Sequence, residues 1–319
     1  MVKWLDYLDQ FIKDGTLEAD NYGDWCVPPE RKELIHSQDP ARRTSKGILA
    51  TSYYIHNLHL VARYAEMLGK PDEAQAHRDK AAIMTWVFNR KYYDAETGKY
   101  DNGTQTSCVL PLYFGIVPED QREKVFATLM NNIETVTDYH IGTGLIGGQW
   151  LNRVLTDFGR ADVSYRFASN TSYPSWGYMI ENGATTIWEL WNGNTADPAM
   201  NSGNHVMLVG DLTIWLYQNL AGIKSDDGFR TLDMAPLPVG DLTFVNAEYD
   251  SVRGMVKSHW RRVNDQFLWD VTIPVGSKAF LTVPTSDHDS IRLNVVQPEF
   301  DADGRLVLGS GTWNVSAKW

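Results

Sequence analysis

Apolar residues recur at three- and four-residue steps through the first two thirds of the chain and at two-residue steps through the last third. The first period places side chains on one stripe of a helix, the second on one face of a strand. The clearest helical register is Ala50, Tyr54, Leu58, Val61, Ala65 and Leu68, which predicts a helix over 47–69 stopped by Gly69. Pro71 opens a second helix to about Tyr92, and further helical stretches are predicted at 2–14, 104–115, 119–135, 147–158 and 160–169. A last helix over 203–221 carries His205, Val209, Leu212, Leu216 and Leu220 on one face. Beyond Gly222, alternating segments predict strands at Leu242–Val245, Gly254–Lys257, Phe267–Val271, Ala279–Val283 and Arg305–Leu308. The change of period predicts a domain boundary near 223–228, giving a helical domain over 1–225 and a β domain over 226–319. Antiparallel helix pairs followed by an all-β tail point to a mostly α chain, an incomplete (α/α)6 toroid followed by an antiparallel β-sandwich.

Composition narrows the function. A net charge of −11 without a basic stripe argues against nucleic acid and anionic membranes as partners, since both need clustered Lys and Arg. The apolar runs fall short of a membrane span. Cys26 and Cys108 are the whole cysteine complement, so there is no disulfide framework and no metal-type spacing; no metal and no cofactor is expected. Gly142-Thr143-Gly144 lacks the Gly-Lys-Ser/Thr ending of a phosphate loop.

Candidate chemistry concentrates in Thr185-Thr186-Ile187-Trp188-Glu189-Leu190-Trp191, which sets one carboxylate between two indoles. Indoles stack on the apolar faces of sugar rings while an acid orients hydroxyls or transfers a proton, so the segment reads as a carbohydrate site. It reads equally as a buried carboxylate paired to an Arg or a backbone amide. Asp24, in Gly23-Asp24-Trp25, reads as a loop cap or an Asx-turn. Trp188 and Trp191 read as stacking surfaces or as core, Trp25 as core and His205 as a helix cap.

Several motifs in order resemble the bacterial α-L-rhamnosidases, the inverting glycoside hydrolases of family 78. They are Tyr22-Gly23-Asp24-Trp25, His140-Ile141-Gly142-Thr143-Gly144-Leu145-Ile146-Gly147-Gly148, Tyr173-Pro174-Ser175-Trp176-Gly177-Tyr178-Met179-Ile180 and Gly183-Ala184 leading into the Glu189 segment. Met200-Asn201-Ser202-Gly203-Asn204-His205 and, in the β region, Ser251-Val252-Arg253-Gly254-Met255-Val256-Lys257-Ser258-His259-Trp260 continue the match. The resemblance implies an (α/α)6 catalytic barrel with a C-terminal β-sandwich acting on terminal α-L-rhamnose. Glu189 is then the catalytic general base, with Trp25 as an aromatic wall, His205 as a sugar contact and Asp24 from the same motif; with Trp188, placed by its stacking reading, these form the expected substrate-binding set.

The family's general acid is a Glu in a motif resembling Asp-x-x-x-x-Glu-Arg-x-Gly-Trp-x-Gly-Asp, which is absent here. The expectation is a truncated family member that lacks the opening helices and the acid. Such a chain would turn over poorly on its own, and its uncovered helix faces favour homo-oligomers. A catalytically inactive carbohydrate-binding remnant and another α/α-toroid glycosidase are the competing readings. Localisation, periplasmic or cytoplasmic in a bacterium, is left open because any leader would have gone with the opening segment.

Overall fold

The computed structural model describes residues 1–197 and 202–319. Contacts divide the chain into two compact units, Met1–Asp211 and Leu212–Trp319.

The first unit is built of helix hairpins. Lys46–Met67 and Pro71–Tyr92 form the longest pair, with Gly69 at φ +71° ending one and Pro71 starting the next. Asp72 and Glu73 in the first turn of the second helix, and Arg90 and Lys91 in its last, match the helix dipole. Ala62, Ala65 and Ala74 let the two backbones close together near the turn. The next pair, Gln105–Tyr113 and Arg122–Asn131, differs in character: Gln105 through Leu112 are all buried, so that helix is enclosed on every side. Leu151–Asp157 and Ala161–Ser169 make the third pair, and Trp176–Glu181 follows.

Two predicted helices are corrected. The helix expected over 2–14 ends at Asp9, because Ile12–Lys13 and Thr16–Leu17 form a small hairpin. Asp14 and Gly15, both at positive φ (49° and 78°), supply its Asp-Gly turn. The helix expected over 203–221 is broken into a short 3₁₀ turn at Val206–Val209, Leu212–Trp215 and a π turn at Leu216–Leu220. Gly210, at φ +58°, makes the break, and a Cβ there would lie 2.5 Å from the Gly148 carbonyl. Asp211 pins the same point: buried, it accepts from Asn152 Nδ2 (2.7 Å) and the Arg153 amide (3.1 Å).

Burial pushes the Asp211 carboxyl up to about 7 against the pull of those donors. A carboxyl with a raised folded-state pKa holds its proton longer when folded, so its contribution to stability falls as pH rises between about 4 and about 7. Urea unfolding across that window should show the wild type losing stability relative to Asp211→Asn. A wild type–variant difference independent of pH would refute this titration.

In the second unit a five-stranded sheet runs in the order Arg292–Leu293, Gly311–Lys318, Gln266–Ile273, Gly254–Val263, Phe244–Ser251, antiparallel throughout. A four-stranded sheet runs Leu306–Leu308, Lys278–Leu281, Thr231–Met234, Ile223–Lys224. Its central pair, Lys278–Leu281 with Thr231–Met234, is parallel, the one departure from the antiparallel expectation among the described strands. Strict alternation along Gln266–Ile273 buries Phe267, Trp269, Val271 and Ile273. These pack with Leu232, Met234, Trp260, Leu281 and Val315 in a single core. The buried indoles are satisfied: Trp260 Nε1 donates to the Leu220 carbonyl (2.7 Å), and Trp269 Nε1 to Ser258 Oγ (2.9 Å). Much of the tryptophan content is therefore core rather than sugar-binding surface.

Candidate active site

The sequence motifs fall in loops that enter the starts of the enclosed helices. Thr44 and Thr104, each just before a helix, join their hydroxyls at 2.7 Å. Gln105, the first residue of its helix, donates to Thr137 Oγ1 and the His140 carbonyl and accepts from the Gly142 amide, and so fixes the 137–142 loop. Ser175 caps the helix Trp176–Glu181 by accepting from the Tyr178 amide.

Asp24 is the knot of this arrangement. One of its oxygens accepts from Thr106 Oγ1 and the Gly144 amide (2.9 Å), the other from the amides of Ile146 (2.8 Å) and Gly147 (3.2 Å). The next residue is tied to the same loop, since the Leu145 amide donates to the Trp25 carbonyl at 2.7 Å. A Cβ on Gly144 would stand 2.2 Å from that carbonyl, which is why glycine is required there. The Gly-Asp-Trp and Gly-Thr-Gly-Leu-Ile-Gly-Gly motifs are thus two halves of one interlock. Asp24 was expected among the substrate-binding residues. The structure instead buries its carboxylate and occupies both oxygens with protein donors. Burial raises its pKa, against the pull of Thr106 and the three amides.

Trp25 leads out of the knot. Its Nε1 donates to Glu189 Oε1 at 3.4 Å, its ring lies 4.5 Å from the His36 ring, and Tyr22 meets it edge-on at 6.1 Å. Cys26 follows at φ +65°, a left-handed conformation that a side chain rarely adopts and that turns the chain just after the indole. Its thiol is pushed up to about 12, by burial first and then by the Glu189 and Asp24 charges, and is therefore not a nucleophile near neutral pH.

Glu189 is half-buried and held from two sides. Besides the Trp25 indole, the Ser202 amide donates to Oε2 at 3.0 Å. Its own amide donates to the Ser202 carbonyl (2.9 Å), and the His205 amide donates to the Ile187 carbonyl (2.7 Å), so 187–189 and 202–205 run side by side. His205 starts the Val206–Val209 turn without capping it; its Nδ1 is buried and has no hydrogen-bond partner among the described residues. Met200 and Asn201 of the same motif lie outside the described residues. Trp188 is half-buried over Gly193, where a Cβ would lie 2.9 Å from its ring. Trp191 is buried edge-to-face on Trp176 (5.7 Å) and belongs to the core.

His36, Thr106 and the Ser202 amide were missed in the sequence. The segment holding His36 is anchored to the segment after Glu189: Asn192 Nδ2 donates to the carbonyls of Lys32 and Leu34, both at 2.7 Å. No short-range pattern signals such a contact. Among the described residues no group of three or more His, Cys, Asp or Glu is placed to hold a metal ion. No described helix is long and apolar enough to cross a membrane.

Helix hairpins whose leading loops gather on a carboxylate and an indole, followed by a β-sandwich unit, are the architecture of the six-hairpin glycosidases. A family model described as the bacterial alpha-L-rhamnosidase 6 hairpin glycosidase domain matches residues 1–220, and one described as the bacterial alpha-L-rhamnosidase C-terminal domain matches residues 222–297. The chain belongs to the bacterial α-L-rhamnosidase family. It is 34% identical over 296 residues to an alpha-L-rhamnosidase of Streptomyces avermitilis, covering 91% of this chain and 27% of that protein. To one from Formosa agariphila it is 30% identical over 301 residues, covering 92% and 32%. The crystal structure of the Streptomyces avermitilis alpha-L-rhamnosidase complexed with L-rhamnose is similar at a TM-score of 0.87 and 32% identity, over 99% of this chain and 30% of that one. The alpha-L-rhamnosidase from Dictyoglumus thermophilum gives 0.88 at 29% identity, over 100% and 36%. The chain thus spans about a third of the length of the relatives it matches.

Proposed function

We propose that this chain carries the base half of an inverting α-L-rhamnosidase site, with Glu189 activating the attacking water and Trp25 forming the aromatic wall against the sugar. The observation that supports this best is the Glu189 carboxylate, held by the Trp25 indole on one oxygen and the Ser202 amide on the other. Two fixed donors hold the carboxylate in one orientation while leaving it lone pairs for a water. Inverting hydrolysis places base and acid carboxyls roughly 6.5–9.5 Å apart, with the water between base and anomeric carbon. Asp24 is the other carboxyl brought to these motifs, but its oxygens face four protein donors rather than a leaving group. The acid role therefore falls to a carboxyl outside this cluster. In this reading Asp24 is a positioning residue, His205 offers its ring to a sugar hydroxyl, and Trp188 shapes the loop around Glu189. L-rhamnose is the sugar because the relatives are named for it and one was solved with it bound.

The test is a titration of the chain with L-rhamnose followed by calorimetry and indole fluorescence. Binding is expected, with Trp25→Ala weakening it about tenfold through loss of the stacking face. Glu189→Gln should leave affinity within about threefold, since the amide oxygen still accepts one of the two donors. Absence of L-rhamnose binding at millimolar concentrations would sink the assignment.

A further inference from the structure

We propose that the cleft beside Trp25 receives an anionic group on the unit to which rhamnose is linked, with Lys46 and Arg43 as the residues that select it. The proposal rests on the placement of rhamnose against Trp25 and Glu189. The cleft holds about 610 Å³, and its lining includes Trp25, His36, Arg43, Thr44, Ser45 and Lys46. That is the range of pockets that enclose a whole ligand, and more than one sugar ring fills. A neutral glycoside would have no use for the cations in that lining.

Four charged side chains line the cleft: Asp24, Arg43, Lys46 and Asp101. Asp24 has both oxygens committed to Thr106 and the 144–147 amides, so its charge is already answered by the protein. Arg43 is held by its Nε and Nη2, both donating to the Ser37 carbonyl, which leaves Nη1 without a protein acceptor among the described residues. Its loop is clamped in turn by Asn102 Nδ2, which donates to the Arg43 carbonyl at 2.8 Å. Lys46 is exposed and has no hydrogen bond or ion pair among the described residues. Of the two carboxylates among the lining residues, that leaves Asp101 to face these two cations.

Lys46 is also the first residue of a 22-residue helix whose N-cap, Ser45, makes no capping hydrogen bond, and Ser45 Oγ has no partner among the described residues. The positive end of that helix lies at Lys46, with the Tyr92 hydroxyl and the Glu18 carboxylate standing against the next residue, Gly47. In a chain of net charge −11, an unanswered ammonium and a braced guanidinium lining the same cleft as Trp25 fit a carboxylate or a sulfate ester. A uronic acid and a sulfated sugar share that chemistry.

The test uses calorimetric titration of the full chain with three disaccharides carrying terminal α-L-rhamnose: one linked to glucuronic acid, its methyl ester, and one linked to a sulfated glucose. At low ionic strength the acid should bind about fivefold tighter than the ester, the upper range for an exposed ion pair. That advantage should shrink at about 0.5 M salt. Lys46→Gln should remove most of it and Lys46→Glu reverse it, with affinity for the ester unchanged. An equal gain for the sulfate marks a general anion site, and a gain for the acid alone marks a uronate site; either supports the proposal. Equal binding of acid and ester by the wild type overturns it, as does an advantage that survives combined Lys46→Gln and Arg43→Gln substitution. If L-rhamnose binds and none of the disaccharides does, this inference falls and the rhamnose assignment stands. If L-rhamnose does not bind, both fall.

Discussion

Asp24→Ala is expected to destabilise the helical unit by about 3–5 kcal/mol, among the largest effects of any single substitution in it. The change strands three amides, those of buried Gly144 and Gly147 and half-buried Ile146, together with the Thr106 hydroxyl. Each unsatisfied donor costs roughly 1–3 kcal/mol, with relaxation and water entry recovering part of the sum. Asp24→Asn separates the roles. With its amide oxygen toward Ile146 and Gly147 and its amide nitrogen toward Thr106, whose hydroxyl can turn to accept, only the Gly144 amide loses its partner. A loss of about 1–2 kcal/mol is expected. Urea denaturation measures both, and L-rhamnose titration at low urea measures the proposed sugar site. If Asp24 touched sugar directly, Asp24→Asn would weaken rhamnose binding while leaving the denaturation midpoint in place. The interlock predicts the opposite: a shifted midpoint, with rhamnose affinity following only as far as Trp25 moves.

The Asp24 result shows which features the sequence makes legible. Helices that bury one stripe, such as Lys46–Met67 and Pro71–Tyr92, are read almost to the residue, because periodicity, Gly69 and Pro71 are all local signals. The break at Gly210 is not read, because its cause is distant: the Gly148 carbonyl and Asn152 meet Gly210 and Asp211 only in the folded chain. The Gly311–Lys318 strand was overlooked even though it pairs along the whole of Gln266–Ile273. With Thr312, Asn314 and Ser316 interleaved among small or aromatic residues, it lacks the continuous β-branched signature. At the site, the segments that carry the resemblance, Gly-Asp-Trp, the 140–148 loop and the Glu189 segment, come together in the fold. It did not separate the carboxylate that faces solvent from the one that faces amides, because residue type carries no burial. Only the partners of each oxygen make that distinction.

Those partners also set the expectation for Glu189→Gln, which is argued through the leaving group. A base without an acid can still act on a substrate whose leaving group departs unaided. α-L-Rhamnosyl fluoride is such a substrate, since fluoride needs little protonation, whereas a sugar alkoxide needs a great deal. The chain is therefore expected to hydrolyse the fluoride measurably, releasing β-L-rhamnose first, and to leave rhamnosyl disaccharides essentially intact. Glu189→Gln should lower the fluoride rate by about 10²–10⁴-fold, the range for loss of a positioned general base. It retains an oxygen for the Trp25 indole or the Ser202 amide, so KM should change little while kcat falls. Proton NMR of the first-formed anomer, with initial rates by fluoride electrode, reads both quantities. First-formed α-rhamnose would mean that the carboxylate attacks carbon rather than water. Unchanged fluoride hydrolysis in Glu189→Gln would remove Glu189 from the base role. Hydrolysis of the disaccharides at the fluoride rate would instead place an acid within this chain, at a carboxyl other than Asp24.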